Sequence, residues 1–432
     1  MRIATIKAVT EAQLCTGCGA CASLAPERYR MADVTDHGRR PIPCSATSED
    51  HVERELLNAC PGVTLQHDKE TWSNGYDREQ AAGWGPILEV WKGHAVDEQT
   101  RWEASSGGIA TAIALHAVRS TTAHGVLHIR SRRGRAWLNE TVLSTTESDV
   151  RAATGSRYAP ASPVESLHLV RDRATPTVFI GKPCDVAAVH NIARKDRVID
   201  ENVALTVAIF CAGTPTWRGT LEMLRAMGFD DPESVEYLRY RGHGWPGHAA
   251  ARGKIQGRET EVKFTYDESW NRILSRHRQW RCQICPDHTG EFADIAVGDP
   301  WYEPPKEGAS GESLIVVRTE RGARWIEEMR ALGILRIERV ANDVVARSQP
   351  NLMRVRGAVW GRLLALRLAG AGVPDFRGLP TFRFWLREID MRAKLQSIFG
   401  TLRRIGSRGL RRPATMVPMD ESRGGITNTD SR

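Results

Sequence analysis

No uncharged apolar run in this sequence approaches the ~20 residues that a membrane-spanning helix needs. The opening stretch "MRIATIKAVTEAQL" also lacks the apolar core of a secretory signal, so a cytoplasmic protein is expected. There is no internal repeat. Carboxylates are scarce in one place: between Phe376 and Arg412 ten cations face only Glu388 and Asp390. That segment alone carries the net charge of +8, and the rest of the chain is balanced. No nucleic-acid recognition motif accompanies the charge, which argues against a nucleic-acid partner. Its mixed aromatics (Phe376, Phe382, Phe384, Trp385, Phe399) suit a helix on an anionic membrane surface or docking on an acidic partner, and equally a solvated helix packed on the protein body.

A chain of 432 residues, 41% hydrophobic and 26% charged, is expected to form two or three globular domains. Its nine cysteines are too few and too clustered for a disulfide framework; their spacing suggests metal ligation. "CTGCGACASLAP" (15–26) follows the bacterial ferredoxin pattern C-x2-C-x2-C-x3-C-P until Ala25 stands where the fourth cysteine belongs. In two-cluster ferredoxins that fourth thiolate serves the other cluster, and no second C-x2-C-x2-C run exists here. The missing ligand should come from a distant Cys-Pro, and "NACPG" supplies it. Cys15, Cys18, Cys21 and Cys60 are therefore expected to hold one [4Fe–4S] cluster, with Cys44 a plain thiol.

Cys184, Cys211, Cys282 and Cys285 remain. "TVFIGKPCDVAAVHNIA" reads as strand, turn and helix, with Cys184 at the helix start; "ALTVAIFCAGTP" places Cys211 at a strand end. Sites in open α/β sheets gather at the carboxyl ends of strands, so these two should converge. The pair in "WRCQICPD" can face the same centre. Spacing leaves an iron–sulfur cluster and a four-thiolate zinc both open.

Short apolar runs alternate with helical patterns from Ile87 to about Ala346, which predicts an α/β domain with a partly parallel sheet. Residues 73–86 read as a polar linker. The expected divisions are a cysteine-rich module (1–75), the α/β domain (86–346), a basic helical extension (347–412) and a disordered tail (413–432).

"RWEASSGGIATAIALHAV" sets Ser105, Ser106, Gly107 and Gly108 before an apolar helix, a place where an anionic group can meet free amides. An ordinary helix cap reads the same way. "RYRGHGWPGHA" (239–249) is a loop suited to covering a planar substrate, and His243 or His248 can supply a proton there.

"SSGGIATAIAL", "TGSRYAP", "GKPCDVAAVHN", "FCAGTP" and "CQICPDHTGEFADIAVGDPW" occur in that order. Together they resemble the family of coenzyme F-420 hydrogenase/dehydrogenase beta subunits, which includes 7-hydroxymethyl chlorophyll a reductase. The resemblance implies an iron–sulfur flavoprotein oxidoreductase, with a ferredoxin-like module ahead of a mixed-sheet FAD domain. It implies Cys184, Cys211, Cys282 and Cys285 as ligands of a second [4Fe–4S] cluster. It places Ser106, Gly107, Gly108 and Thr111, with Gly155, Ser156, Arg157 and Tyr158, at FAD. Arg157 would pair with a phosphate or with the anionic reduced ring, and Asp294 would hold the loop after the C-x2-C pair. Implied partners are a ferredoxin or oxidoreductase subunit and a planar two-electron substrate such as coenzyme F-420. A subunit that only relays electrons to a partner enzyme is the alternative.

Overall fold

The computed structural model describes residues 3–44, 50–67, 83–120, 122–304 and 308–419. The N-terminal module has three helices (Ile6–Glu11, Ala20–Leu24 and Asp50–Ala59), an antiparallel hairpin of β1 (Tyr29–Val34) and β2 (Gly38–Pro43), and a short β3 (Thr64–Gln66). Buried Glu53 ties it together, accepting from the Ile6 amide at 2.8 Å and from the Tyr29 hydroxyl.

The apolar runs downstream build one eight-stranded sheet. Its members are β4 (Glu89–Ala95), β5 (Val126–Arg132), β6 (Arg135–Ser144), β7 (Thr177–Gly181) and β8 (Val203–Ile209), joined later in the chain by three more. A separate antiparallel sheet of β9 (Val235–Arg239), β10 (His248–Ile255) and β11 (Arg258–Thr265) intervenes. The large sheet is completed by β12 (Ile295–Gly298), β13 (Ser313–Val317) and β14 (Leu335–Val340), in the order β14-β4-β13-β12-β8-β7-β5-β6. Its centre, β12-β8-β7-β5, is parallel, and antiparallel strands flank it on both sides. Continuous Val, Ile and Leu suit these central strands because both faces are covered. The Ile109–Arg119 and Glu320–Ala331 helices bury one face, and the Pro183–Ala193 helix buries the other.

The divisions expected from composition are more entangled than they read. The extension contributes β15 (Asp375–Arg377), which pairs in parallel with β3, Phe376 opposite Leu65. Its Val359–Leu368 and Met391–Ser407 helices share an apolar cluster with Val9, Leu14, Cys15 and Trp280. Glu291 joins three regions at once: His67 lies 3.0 Å from its carboxylate, and Arg356 of the extension pairs with its other oxygen. The polar linker ends early, since Trp84 is buried and its carbonyl accepts from Arg318 at 2.7 Å; residues 68–82 lie outside the described residues. The disorder expected from residue 413 onward does not hold for its first part. The backbone of Ala414 bonds to Glu11 and that of Met419 to Asp33, so local composition was overruled by a neighbouring surface. Residues 420–432 lie outside the described residues. Among the described residues no helix is long and apolar enough to cross a membrane.

Candidate functional site

Cys15, Cys18, Cys21 and Cys60 line one small void beneath the Ile6–Glu11 helix. The chain bends around it at Gly17, whose amide approaches Cys15 Sγ at 3.3 Å and whose φ is +76°. A Cβ there would stand 2.8 Å from the Arg39 carbonyl, so only glycine fits. Ala25 packs with Ile6, Ala22, Tyr29 and Leu56, as a position without a ligand to supply should. Cys44 is exposed. Burial, with the neighbouring thiols, pushes Cys18 and Cys21 far above the ordinary thiol range and Cys60 up to about 12. Thiolates are stable there only against a strong local positive charge.

The segments of the second set are neighbours: the Cys211 amide donates to the His288 carbonyl at 2.9 Å, and the Thr214 amide donates to Cys282 Sγ at 3.4 Å. Cys184 sits in the first turn of the Pro183–Ala193 helix, Cys211 follows β8, and Cys282 and Cys285 flank one short turn. Burial raises all three of Cys184, Cys211 and Cys285, the last two to about 12 and about 11; Cys211 and Cys285 add to the rise at Cys184, and Cys282 adds at the other two. Lys182, paired with Asp185 at 2.6 Å, lies against Cys184 and Cys211. Among the described residues no three His, Cys, Asp or Glu side chains are gathered tightly enough for one metal ion.

Two buried arginines stand between the sets. The Arg281 guanidinium donates to the Pro61 carbonyl at 2.9 Å, one residue from Cys60 and one from Cys282. Arg40 donates to Gln279 Oε1 at 2.8 Å and to its neighbour's carbonyl at 2.7 Å. Burial lowers Arg40, and Cys15 and Cys282 oppose that shift from either side. Neither arginine has a carboxylate partner among the described residues, so thiolates are the anions within reach.

A cavity of about 310 Å³ opens at the carboxyl ends of β7, β8 and β12. Cys211 forms part of its wall, so the cavity adjoins the second thiol set. Gly108 (φ +79°) starts the Ile109–Arg119 helix, and Gly108, Ile109, Ala110 and Thr111 line the cavity with first-turn amides that have no intrahelical acceptor. Ser106 donates to the Glu312 carbonyl at 2.6 Å, and the Gly107 amide donates to Ser313 Oγ at 3.0 Å. These bonds shape the cradle. Gly155, Ser156 and Tyr158 line the cavity too, and Ser105 Oγ, which accepts from the Ser156 amide at 2.8 Å, joins the two segments.

Arg157 is committed to structural hydrogen bonds, and His243 lies away from the cavity wall. All three Arg157 nitrogens are engaged by protein: Asn139 Oδ1 at 2.7 Å and the carbonyls of Leu238, Ala136 and Leu138. Its guanidinium clamps β6 to β9, and Arg157 lines the cavity beside Gly155, Ser156 and Tyr158. His243 is exposed, stacked on Trp102 at 6.4 Å, and absent from the cavity wall; His248 is exposed on β10. The same loop does contribute Arg241. It forms a two-pronged pair with Asp299 (2.7 and 2.8 Å) beside the contacting rings of Tyr266 and Trp301, both 5.4 Å away. Arg241, Asp299, Tyr266 and Trp301 all line the cavity, as does buried His128. Asp294 does what was expected, accepting from the amide and hydroxyl of Thr206 (both 2.8 Å) and from Thr319 (2.6 Å).

Residues 90–168 match the N-terminal part of the family described as "Coenzyme F420 hydrogenase/dehydrogenase, beta subunit", and residues 175–343 match its C-terminal part. The chain belongs to this family. The beta subunit of the coenzyme F420 hydrogenase of Methanococcus voltae is 24% identical over 254 residues, covering 57% of this chain and 82% of that protein. A subunit of the F(420)H(2) dehydrogenase of Methanosarcina mazei is 20% identical over 330 residues, 75% of this chain and 85% of that protein. An uncharacterized protein of Methanocaldococcus jannaschii is 23% identical over 348 residues, 73% of this chain and 86% of that protein. A chain of the F420-reducing [NiFe] hydrogenase complex from Methanosarcina barkeri shares the fold, with a TM-score of 0.51 at 18% identity over 65% of this chain and 94% of that one. The family match takes in the second thiol set and the cavity; the N-terminal thiol set and the basic extension lie outside it. Family membership makes this an oxidoreductase-type subunit of the electron-transfer class.

Proposed function

We propose that this family member is an iron–sulfur flavoprotein that passes electrons between its two thiol sets and the cavity. When bound, two [4Fe–4S] clusters carry single electrons and FAD exchanges a hydride with a two-electron substrate such as coenzyme F-420. The observation that carries the reading is continuity. Cys211 belongs both to the second thiol set and to the cavity wall, while Arg281 and Arg40 span the gap to the first set.

The chain's own residues divide the work. Cys15, Cys18, Cys21 and Cys60 ligate one centre, and Cys184, Cys211, Cys282 and Cys285 the other. The Gly108–Thr111 amides, with Ser106 and Gly107 shaping the turn, take a pyrophosphate. Gly155, Ser156 and Tyr158 close the opposite side. Tyr266 and Trp301, aligned by the Arg241–Asp299 pair, present aromatic faces for stacking a planar ring. Lys182 and the two buried arginines offset negative charge near the sulfurs.

The second reading is a relay subunit that hands electrons to a partner oxidoreductase in the cytoplasm. It is favoured by His243, which faces solvent and leaves the cavity without the proton donor expected there. The partner would dock on 376–412, where Met391, Leu395 and Phe399 form an exposed apolar stripe among arginines; an anionic membrane surface suits the same stripe.

Anaerobically purified protein should be brown, carry about eight irons per chain and release FAD on denaturation. Stoichiometric zinc without iron or flavin would overturn the proposal. Stopped-flow mixing of the reduced protein with coenzyme F-420 separates the two readings: flavin reoxidation supports the enzyme, and its absence supports the relay.

A further inference from the structure

A second cavity, of about 180 Å³, has Arg40 in its wall and is rich in arginine. Arg276, Arg278, Arg408 and Arg40 line it, with Arg218, His37 and His277. Its one carboxylate, Asp36, is already held by both prongs of Arg218, and His277 pairs with Glu222 at 2.7 Å. Arg40, Arg276, Arg278 and Arg408 form no ion pair among the described residues. Arg40 is 2% exposed, and its Nε is buried with no acceptor. Arg278 uses two nitrogens on the carbonyls of Ser275 and Ala212, leaving the third uncommitted.

Four arginines without a counter-anion around one concavity repel one another. Burial depresses Arg408, and Arg404 and Arg278 depress it further; Arg362 shows the same pattern. Arg276 and Arg408 reach solvent, whereas Arg40 is buried, and an oxyanion between them would offset the repulsion and satisfy the buried group. Guanidinium forks match phosphate oxygens two at a time, and the cavity has room for one or two phosphoryl groups. Apart from Trp280 the lining is polar, which excludes an apolar guest, and the absence of a free carboxylate excludes a cation.

We propose that this cavity is a binding site for a phosphate-type oxyanion, held by Arg276, Arg278 and Arg408 with Arg40 at its floor. A linked consequence rests on the cluster reading above. Arg40 also faces Cys15 and Cys282, so an anion in the cavity withdraws part of its positive field from both thiol sets. Bound oxyanion should therefore make the adjoining clusters harder to reduce, and reduction should weaken the anion by the same factor.

Titration calorimetry of the anaerobic holoprotein at low ionic strength, with inorganic phosphate and with pyrophosphate, tests the site. Saturable one-to-one binding is expected. It should weaken roughly tenfold or more in the Arg276→Gln, Arg408→Gln double variant and persist in Arg403→Gln, an exposed arginine outside the cavity. Heat that never saturates, or affinity unchanged in the double variant, would overturn the site. Saturation only by a poly-glutamate peptide, with neither phosphate compound binding, would also overturn it and point to a docking protein. The link is read by redox titration with and without saturating pyrophosphate: a lowered midpoint supports it, and an unmoved midpoint removes it while leaving the site. Iron and flavin content of the same preparation shows separately whether the cluster reading holds.

Discussion

The guanidinium of Arg281 reaches the carbonyl of Pro61 at 2.9 Å, binding the residue beside Cys282 to the residue beside Cys60. A single side chain thus ties together two segments 220 positions apart in sequence, each carrying a cysteine of a different set. Arg281→Gln should cost about 1.5–3 kcal/mol, the range for a hydrogen bond made by a charged group. Its two midpoint potentials should also fall, because a positive charge between the sets is gone. A urea midpoint and redox titration matching the unaltered protein would show that the contact positions nothing.

Cys60→Ser should remove or convert only the N-terminal centre, taking about half the iron and leaving flavin content intact. Cys184→Ser should instead disturb the centre that borders the cavity and change the flavin's environment as well. Cys44→Ser is expected to change neither. Iron and flavin counts with low-temperature electron paramagnetic resonance decide, and equal losses from the Cys60 and Cys184 variants would refute the division into two sets.

Asp299 holds Arg241 beneath two aromatic rings, with 15% of its side chain exposed against 4% for the arginine. Asp299→Asn leaves that arginine uncompensated, and a loss of about 3–5 kcal/mol is expected. Flavin should also be released more readily, because Tyr266 and Trp301 lose the paired cation packed beside them. Thermal unfolding and flavin retention after gel filtration measure both effects; a stable variant with full flavin would count against this wall of the cavity.

His128, on β5 at the cavity, is pulled down to about 4 by burial and then by Arg130. An unfolded histidine titrates at its ordinary value of 6.5. Between those values the unfolded chain takes up a proton that the native state refuses. Stability therefore rises with pH across this window and is fully present above it. Going from pH 7 to pH 5 should cost about 2 kcal/mol from this group. His128→Gln should flatten the urea midpoint's pH dependence by that amount, and an unchanged slope would assign the effect elsewhere.

Phe399 is 64% exposed and Met391 67%, on a helix whose neighbours are arginines. Phe399→Glu should abolish sedimentation with vesicles rich in anionic lipid if that surface meets a membrane. The unaltered protein staying in the supernatant would leave a protein partner as the surface's use.

Much of the site was legible where chemistry is encoded by short spacing. Cys15, Cys18 and Cys21 sit on one turn of chain, and the hole at Ala25 pointed outward to Cys60. The glycine-bearing start of the Ile109–Arg119 helix was visible because helix signals are local. The structural bonds of Arg157 were not legible because its acceptors lie on strands up to 81 residues away, and no nearby residue announces them. In "RYRGHGWPGHA" the histidines drew attention by their proton chemistry, yet the loop turns His243 outward and Arg241 inward. Asp299 and Trp301 stand inside "ADIAVGDPW", directly after β12, within a motif that the sequence had already singled out, and that position was the available signal.

The sequence by itself determined the clustering of the cysteines, the alternation that makes an α/β sheet, and the concentration of charge near the C-terminus. Each of these is a local property of spacing, period or composition. Only the tertiary structure decided that the basic extension closes the N-terminal module through β15, that Cys211 opens onto the cavity, and that Arg40 and Arg281 stand between the two thiol sets. Those outcomes depend on which distant surfaces bury one another, and burial is what makes a lone arginine seek a sulfur's charge.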